Sequence, residues 1–319
     1  MSSSVPDRAW DGGNDETISM APQPFPRRRL LRPGFGLTLG YALLYLSLLV
    51  FLPLGACVVK AAGMSWEEFW AVVSHPQAVA AYKLSFWTAF LAALLNTFFG
   101  LIVAWVLVRY DFPGKRLLDA LVDVPLALPT AVAGLTFSSL YVPEGWFGRW
   151  LTFLEPDGAV GQFFGPEGWF GQNFWTIDTR LHDGPLAIVL VLMFVSLPFV
   201  IRAVQPVLAE METEQEEAAA SLGATRWQTF RLVILPALKP ALFTGFALAF
   251  ARCLGEYGSV IFVASNLPYQ TEIPPTLIVG KLEQFKYAEA AAIATVLLAM
   301  SLVCLITINL LERWSRRYD

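Results

Sequence analysis

Apolar residues along the chain gather into six long runs, with the polar residues collected between them. A helix needs about 20 mostly apolar residues to cross a bilayer core. Stretches of that kind lie at about 36–61, 84–108, 117–140, 186–204, 240–264 and 288–311. The pattern predicts an all-α polytopic membrane protein with six transmembrane helices. The third run opens with Asp119 and Asp123 and contains Pro125 and Pro129, so its start is expected to be broken or interfacial. The first run begins after 35 residues, is too long for a signal-peptide core and lacks a small-residue cleavage site. It reads as a span.

Lysine and arginine set the orientation, because they concentrate in cytoplasmic loops. One side collects Arg8, Arg27, Arg28, Arg29 and Arg32 of the N-terminal tail, then Arg109, Lys115 and Arg116. It also collects Arg202, Arg226, Arg231 and Lys239, and Arg313, Arg316 and Arg317 of the C-terminal tail. The other side holds fewer: Lys60, Lys83, Arg149, Arg180, Lys281 and Lys286. Both termini are therefore expected in the cytoplasm.

Composition sharpens this reading. Apolar residues make up 56% of the 319-residue chain and charged residues 15%, with a mean hydropathy of +0.54. Soluble domains carry about 25% charged residues, so a soluble enzyme is excluded as the default. The net charge of -4 suggests no nucleic-acid partner; lipid is the expected surrounding. Cys57, Cys253 and Cys304 lie in separate apolar runs, which is neither a disulfide framework nor a metal-ligand spacing. No catalytic residue, metal or cofactor is expected.

Three regions follow. Residues 1–35 are polar and proline-rich and are expected to be a disordered cytoplasmic tail, held to the membrane surface by the Arg27–Arg32 cluster. A six-span domain covers 36–311, with a long outer insertion at 141–185 and an inner segment at 207–239, and a short tail follows at 312–319. The insertion repeats itself: Pro143-Glu144-Gly145-Trp146-Phe147-Gly148 returns as Pro166-Glu167-Gly168-Trp169-Phe170-Gly171. Tryptophan beside glycine turns suits the headgroup layer. An interfacial flap and a docking surface for an outer partner are both open readings.

The inner segment has a definite local structure. Thr213-Glu214-Gln215-Glu216 fits a capping box that starts a helix, and Gly223 supplies the left-handed residue that ends it. A second box, Thr225-Arg226-Trp227-Gln228, starts another helix with Trp227, Phe230 and Ile234 on one face. Pro236 and Pro240 are expected to break it before the fifth span. Helix, tight turn, helix is the prediction. A solvated connector would also be acidic here; the small Ala218-Ala219 face and the glycine turn suit insertion into a partner.

The run Glu217-Ala218-Ala219-x3-Gly223-x9-Val233-x-Leu235-Pro236 resembles the EAA loop of ABC importer permeases, with Val233 where isoleucine is usual. The resemblance implies a type I ABC importer permease fold in which this loop forms a coupling helix seated in a cytoplasmic ABC ATPase subunit. Two copies of that subunit are implied. Glu217 would orient the contact, Ala218 and Ala219 permit close approach, and Gly223 make the turn, with Leu235 and Pro236 closing the motif. The chain has no G-x-x-x-x-G-K-[ST] loop, so ATP hydrolysis belongs to the separate subunit and this chain is not itself an enzyme.

Inside the fifth span lies Arg252-Cys253-Leu254-Gly255-Glu256-Tyr257-Gly258. A lone charge at that depth costs a few kcal/mol, and intramembrane ionisable residues are by default functional. Arg252 and Glu256, four apart, share a helix face; an interhelical salt bridge that only fastens the fold is the plainer reading. Gly255 and Gly258 permit close approach or mark an unwound stretch. The run through Asn266-x-Pro268, Thr271-Glu272-Ile273-x-Pro275 and Lys281-Leu282-Glu283-Gln284-Phe285 resembles the sulfate/thiosulfate branch of these permeases. So do Leu128-Pro129-Thr130-Ala131-Val132-Ala133-Gly134 and the run Pro198–Val207. The branch implies a bacterial-type inner membrane, a second, paralogous permease subunit and a periplasmic sulfate-binding protein. Arg252, Gly255, Glu256, Tyr257 and Gly258, with Pro129 and Thr130, are then expected to line the translocation pathway.

Three alternatives stand beside this reading. Molybdate or tungstate is the second substrate class. A secondary transporter without an ATPase would use Arg252 and Glu256 as an ion-coupled switch. A membrane hydrolase finds no support, because His75 and His182 lie in outer loops without a partner pattern.

Overall fold

The computed structural model of the chain describes residues 35–142, 144–150, 157–159, 162, 183–211 and 213–315. The N-terminal tail up to residue 34, the second Pro-Glu-Gly-Trp-Phe-Gly copy, His182 and residues 316–319 lie outside the described residues. The chain divides into two units, Met1–Phe51 and Leu52–Asp319. In the first, α1 (Phe35–Leu46) runs into a π-helical turn at Ser47–Phe51. Every described residue of this unit is exposed, although nearly all are apolar. That surface suits lipid.

The second unit is a helical bundle. Its elements are α2 (Leu52–Ala62), α3 (Trp66–Val73), α4 (Pro76–Arg109), α5 (Lys115–Val122), α6 (Val124–Ala127) and α7 (Thr130–Tyr141). Then come α8 (Pro185–Glu210), α9 (Thr213–Ser221), α10 (Arg226–Thr229), α11 (Leu235–Leu254), α12 (Val260–Val263), α13 (Pro274–Glu283) and α14 (Tyr287–Ser315). Five helical stretches are long and apolar enough to cross a membrane: Phe35–Ala62, Pro76–Arg109, Pro185–Glu210, Arg226–Leu254 and Tyr287–Ile308. The sixth is a pair, Lys115–Ala127 and Thr130–Tyr141, bent by 108°. The bend falls at Leu128-Pro129, where proline forces the preceding residue into an extended conformation; Leu128 has φ -80° and ψ 132°.

Small residues bring three helices together. In α4, Ala89, Ala92, Ala93 and Ala104 are fully buried, and they pack in one core with Val191, Val200, Ile201 and Val204 of α8 and Leu238, Ala249 and Phe250 of α11. Val200 lies between two glycines. A Cβ on Gly100 of α4 would stand 2.8 Å from Val200 Cγ1, and one on Gly245 of α11 would stand 3.0 Å from Val200 Cα. Membrane helices gain little from hydrophobic exclusion and rely on such close packing and on hydrogen bonds across it. The bond is supplied by Asn96 of α4, whose Nδ2 donates to the Met193 carbonyl and to Ser196 Oγ, both at 2.8 Å. Cys253 Sγ of α11 lies 3.2 Å from the same hydroxyl.

These contacts fix direction. Asn96 meets Ser196, Gly100 meets Val200, and Arg109 meets Glu216 just past the end of α8, so α4 and α8 run parallel. One end of the bundle therefore carries Arg109, α5 and the α9–α10 elbow. The opposite end carries α3, Asp183 and the segment from Ala264 to Tyr287, where Gln77 Nε2 donates to Glu272 Oε2 at 2.7 Å. There are no strands among the described residues, only an isolated bridge of Asp183 with Ala264.

The fifth span differs from the sequence expectation at both ends. It does not break at Pro236 and Pro240; a continuous helical stretch runs from Arg226 to Leu254. A π-helical turn at Phe230–Ile234, in which the Leu235 N–H donates to the Phe230 carbonyl five residues back, widens the helix where Pro236 would otherwise clash. At the other end the helix stops at Leu254, not Ala264. Residues 255–259 are non-helical, and α12 resumes at Val260.

Candidate functional site

The unwound stretch after Leu254 is the centre of the site. Glu256 is 3% exposed, and its carboxylate is fully engaged. Oε1 accepts from the Ser259 backbone N–H at 3.0 Å and from Ser259 Oγ at 2.9 Å, and Oε2 accepts from Arg252 Nη1. The Arg252 side chain is 32% exposed against 2% for its partner. The two charges thus have different situations: Glu256 is locked into the protein, while Arg252 is held at one nitrogen and its side chain is about a third exposed. Among the described residues Arg252 makes no other hydrogen bond. A buried carboxylate placed in this way fixes the orientation of a partly open guanidinium.

The break before α7 packs against this stretch. A Cβ on Gly258 would stand 2.3 Å from Thr130 Oγ1 and 3.4 Å from the Ala131 backbone nitrogen, and one on Gly134 would stand 2.2 Å from the Ser259 carbonyl oxygen. Pro129 is the N-cap of α7 and has no side-chain cap bond; the Val132 and Ala133 N–H groups donate to its carbonyl, which leaves the Thr130 and Ala131 N–H groups without a cap, the latter beside Gly258. The sequence-selected residues Pro129, Thr130, Gly258, Glu256 and Arg252 are therefore brought together. Tyr257, between Glu256 and Gly258 in the sequence, is half-buried. Gly255 is different. Only the Ala251 carbonyl comes within 4 Å of a Cβ there, at 3.9 Å, and its φ is -90°. It ends the helix; no close approach requires a glycine.

At the elbow, α9 closes in a Schellman turn. The Ala224 N–H donates to the Ala219 carbonyl and the Gly223 N–H to the Ala220 carbonyl, at 3.0 and 2.9 Å, with Gly223 at φ 81°. Thr225 and Gln228 form the second capping box expected from the sequence. Glu216, expected to cap its own helix, pairs with Arg109 at the end of α4. Glu217 and Ala218 are exposed, Ala219 half-exposed, and Leu222, in the turn itself, is 90% exposed. Leu235 and Pro236 sit half-buried in the first turn of α11, a full helical stretch away from Gly223. The face expected to hold Trp227, Phe230 and Ile234 divides: Ile234 is buried and Trp227 exposed, because the intervening π turn rotates one relative to the other.

Sequence reasoning missed a polar cluster at the same end. Arg202 of α8 forks onto Asp123, Nε to Oδ1 at 3.0 Å and Nη2 to Oδ2 at 2.6 Å, and its Nη1 donates to Asp119 Oδ1 at 2.7 Å. Gln205 Nε2 adds a bond to Asp119 Oδ1 at 3.0 Å. The spacing of Asp119 and Asp123, one turn apart, and of Arg202 and Gln205, was the available signal. Residues 144–148 of the first Pro-Glu-Gly-Trp-Phe-Gly copy form a tight turn in which Gly148 lies against the Val142 carbonyl and Trp146 is exposed.

Comparison with known proteins agrees with this architecture. Residues 96–318 match the family described as "Binding-protein-dependent transport system inner membrane component". The chain is 48% identical over 291 residues to the sulfate transport system permease protein CysT of Escherichia coli, covering 91% of this chain and 96% of that one. It is 45% identical over 276 residues to the CysT of Synechocystis, covering 86% and 88%. A crystal structure of a bacterial ABC transporter that imports the acidic polysaccharide alginate has a TM-score of 0.67 at 17% identity, covering 89% of this chain and 96% of that one. The alginate transporter in complex with its pentasaccharide-bound periplasmic protein has a TM-score of 0.65 at 18% identity, covering 89% and 97%. At those identities the shared feature is the fold.

Proposed function

This chain belongs to the family of binding-protein-dependent transport system inner membrane components, and we propose that it is the permease subunit of an ATP-driven importer of sulfate or thiosulfate. The observation that carries the reading is its likeness, over nearly the whole chain, to sulfate transport permeases. A tetrahedral dianion is strongly excluded from hydrocarbon, so its path must supply hydrogen-bond donors without trapping it. One partly open arginine meets that need together with backbone N–H groups at the start of α7, where the helix dipole favours an anion. Arg252 attracts the ion, Glu256 orients Arg252 from a position the ion does not reach, and Thr130, Pro129, Tyr257, Gly255 and Gly258 shape the passage.

The elbow end faces the cytoplasm in this reading, with both chain termini. Arg109, Lys115, Arg116, Arg202, Arg226, Arg231 and Lys239 gather there, which supports that orientation. Glu217, Ala218, Ala219 and Gly223 form the surface that seats in an ABC ATPase subunit, and Leu235 and Pro236 join that surface to the fifth span. Two ATPase copies, a paralogous second permease and an extracytoplasmic sulfate-binding protein complete the transporter. ATP-driven closure of the ATPases moves the elbows and alternates the access of the central passage.

The test is purification of the complex built on this chain, followed by ATPase assay with loaded binding protein and a panel of oxyanions. Co-purification of an ATPase stimulated by sulfate or thiosulfate is expected. Stimulation by molybdate alone would overturn the substrate, and proton-coupled uptake by this chain without an ATPase would overturn the class.

A further inference from the structure

We infer that Arg109 and Glu216 form a clasp through which the elbow drives α4, and that α4 carries the movement to the neighbourhood of Arg252. The inference rests on the transporter reading above. Both arms of the elbow touch one face of the last turns of α4. On the first arm, Glu216 of α9 pairs with Arg109. On the second, Phe230 meets the ring of Trp105 edge-on, with centroids 5.7 Å apart at 80°, and Trp227 stacks on Phe230 at 5.6 Å. Trp105 and Arg109 are four apart and share a helix face, and the Arg109 guanidinium carbon lies 5.5 Å from the Trp105 ring centroid, within cation–π range.

The contacts therefore run Glu216, Arg109, Trp105, Phe230, Trp227, from one arm to the other through α4. Glu216 is also the only described side chain of α9 that hydrogen-bonds outside its own helix. Arg109 Nε is buried without an acceptor, so the guanidinium is held by one carboxylate and one ring face.

The far half of α4 reaches the site. Phe90 meets Phe246 edge-on at 5.7 Å and Phe86 meets Phe250 edge-on at 5.5 Å. Phe250 stands two residues before Arg252. A 34-residue helix with interlocked rings at both ends is a rigid element able to pass displacement along its axis. The elbow is thereby connected to Arg252 by a second route besides α11.

The test uses the full complex in proteoliposomes, with Arg109→Glu, Glu216→Arg and the swapped double variant, measuring ATPase retention, ATP turnover and sulfate uptake together. Each single variant is expected to retain the ATPase and hydrolyse ATP while uptake per ATP falls roughly tenfold, the scale of a coupling free energy, and the swap is expected to restore it. Glu216→Gln, which keeps the shape and drops the charge, is expected to lose part of the uptake per ATP if the reversals do not assemble. Single variants with wild-type uptake per ATP would overturn the clasp. So would loss of ATPase and uptake together without rescue by the swap, which would make Arg109 a prop of the fold only. A wild-type complex without an ATPase would overturn the transporter reading and this inference with it.

Discussion

The hydroxyl of Thr130 occupies the space that a side chain at Gly258 would need: a Cβ there would stand 2.3 Å from Thr130 Oγ1. The start of α7 and the unwound stretch of the fifth span are thus packed as one unit, and neither can be altered alone. Gly258→Ala is expected to destabilise the protein by about 1–3 kcal/mol through overpacking. Adding Thr130→Ala, which removes the colliding hydroxyl, is expected to return part of that stability. Thermal unfolding of the purified complex in detergent measures both.

Gly223 is constrained differently. Nothing lies within 4 Å of a Cβ at that position, but φ is +81°, a conformation that costs an ordinary L-residue roughly 1–2 kcal/mol. Gly223→Asn, which visits that region, is expected to keep near-wild-type uptake per ATP. Gly223→Val is expected to lower it while leaving the bundle folded. Equal performance of Val and Asn in coupled ATPase and uptake assays would contradict the turn requirement.

The Arg202 cluster predicts an order of effects. Asp123 receives two parallel bonds from the guanidinium, whereas Asp119 receives one side-chain bond from it and one from Gln205. Asp123→Asn is therefore expected to lower the melting temperature more than Asp119→Asn, each by an amount equivalent to about 1 kcal/mol for a half-exposed pair. Arg202→Lys is not expected to substitute, because a point charge cannot fork onto a carboxylate.

A small pH effect belongs to α3. Glu68 accepts a bond from the Ser65 backbone N–H at 3.0 Å, and Ser65 Oγ accepts from the Glu68 N–H at 3.2 Å. The bond from the Ser65 backbone, followed by the Ser65 hydroxyl, holds the Glu68 carboxyl below its usual value. With the folded value depressed, the capping contribution is complete above the unfolded carboxylate range and is lost as pH falls through the folded value. Protection factors at the start of α3, which compare exchange with the intrinsic rate at each pH, are expected to fall on acidification. In Ser65→Ala that change is expected to begin at higher pH.

How much of this was legible beforehand depends on the range of each interaction. The spans, the break at Pro129 and the Arg252–Glu256 pair follow from local spacing: apolar runs, a proline, two charges one turn apart. The unwinding after Leu254 was readable only as an option, because glycines permit it and tertiary contacts with α7 decide it. The course of the fifth helix was misread since the rule that proline ends a helix ignores a π turn, whose position depends on packing around Phe230 and Ile234. Glu216 had two possible partners. Its local capping role was visible, while Arg109, 107 positions away, was not. Arg202 lies 79 and 83 positions from its carboxylates, and one sequence carries no record of such pairings.

The most direct measurement is ATP-dependent uptake of radiolabelled sulfate into proteoliposomes holding the complete complex, with wild-type chain and with Arg252→Ala. The account predicts uptake by the wild type, and an Arg252→Ala complex that keeps its ATPase subunits yet moves no sulfate above background. Wild-type uptake by the Arg252→Ala complex would contradict it.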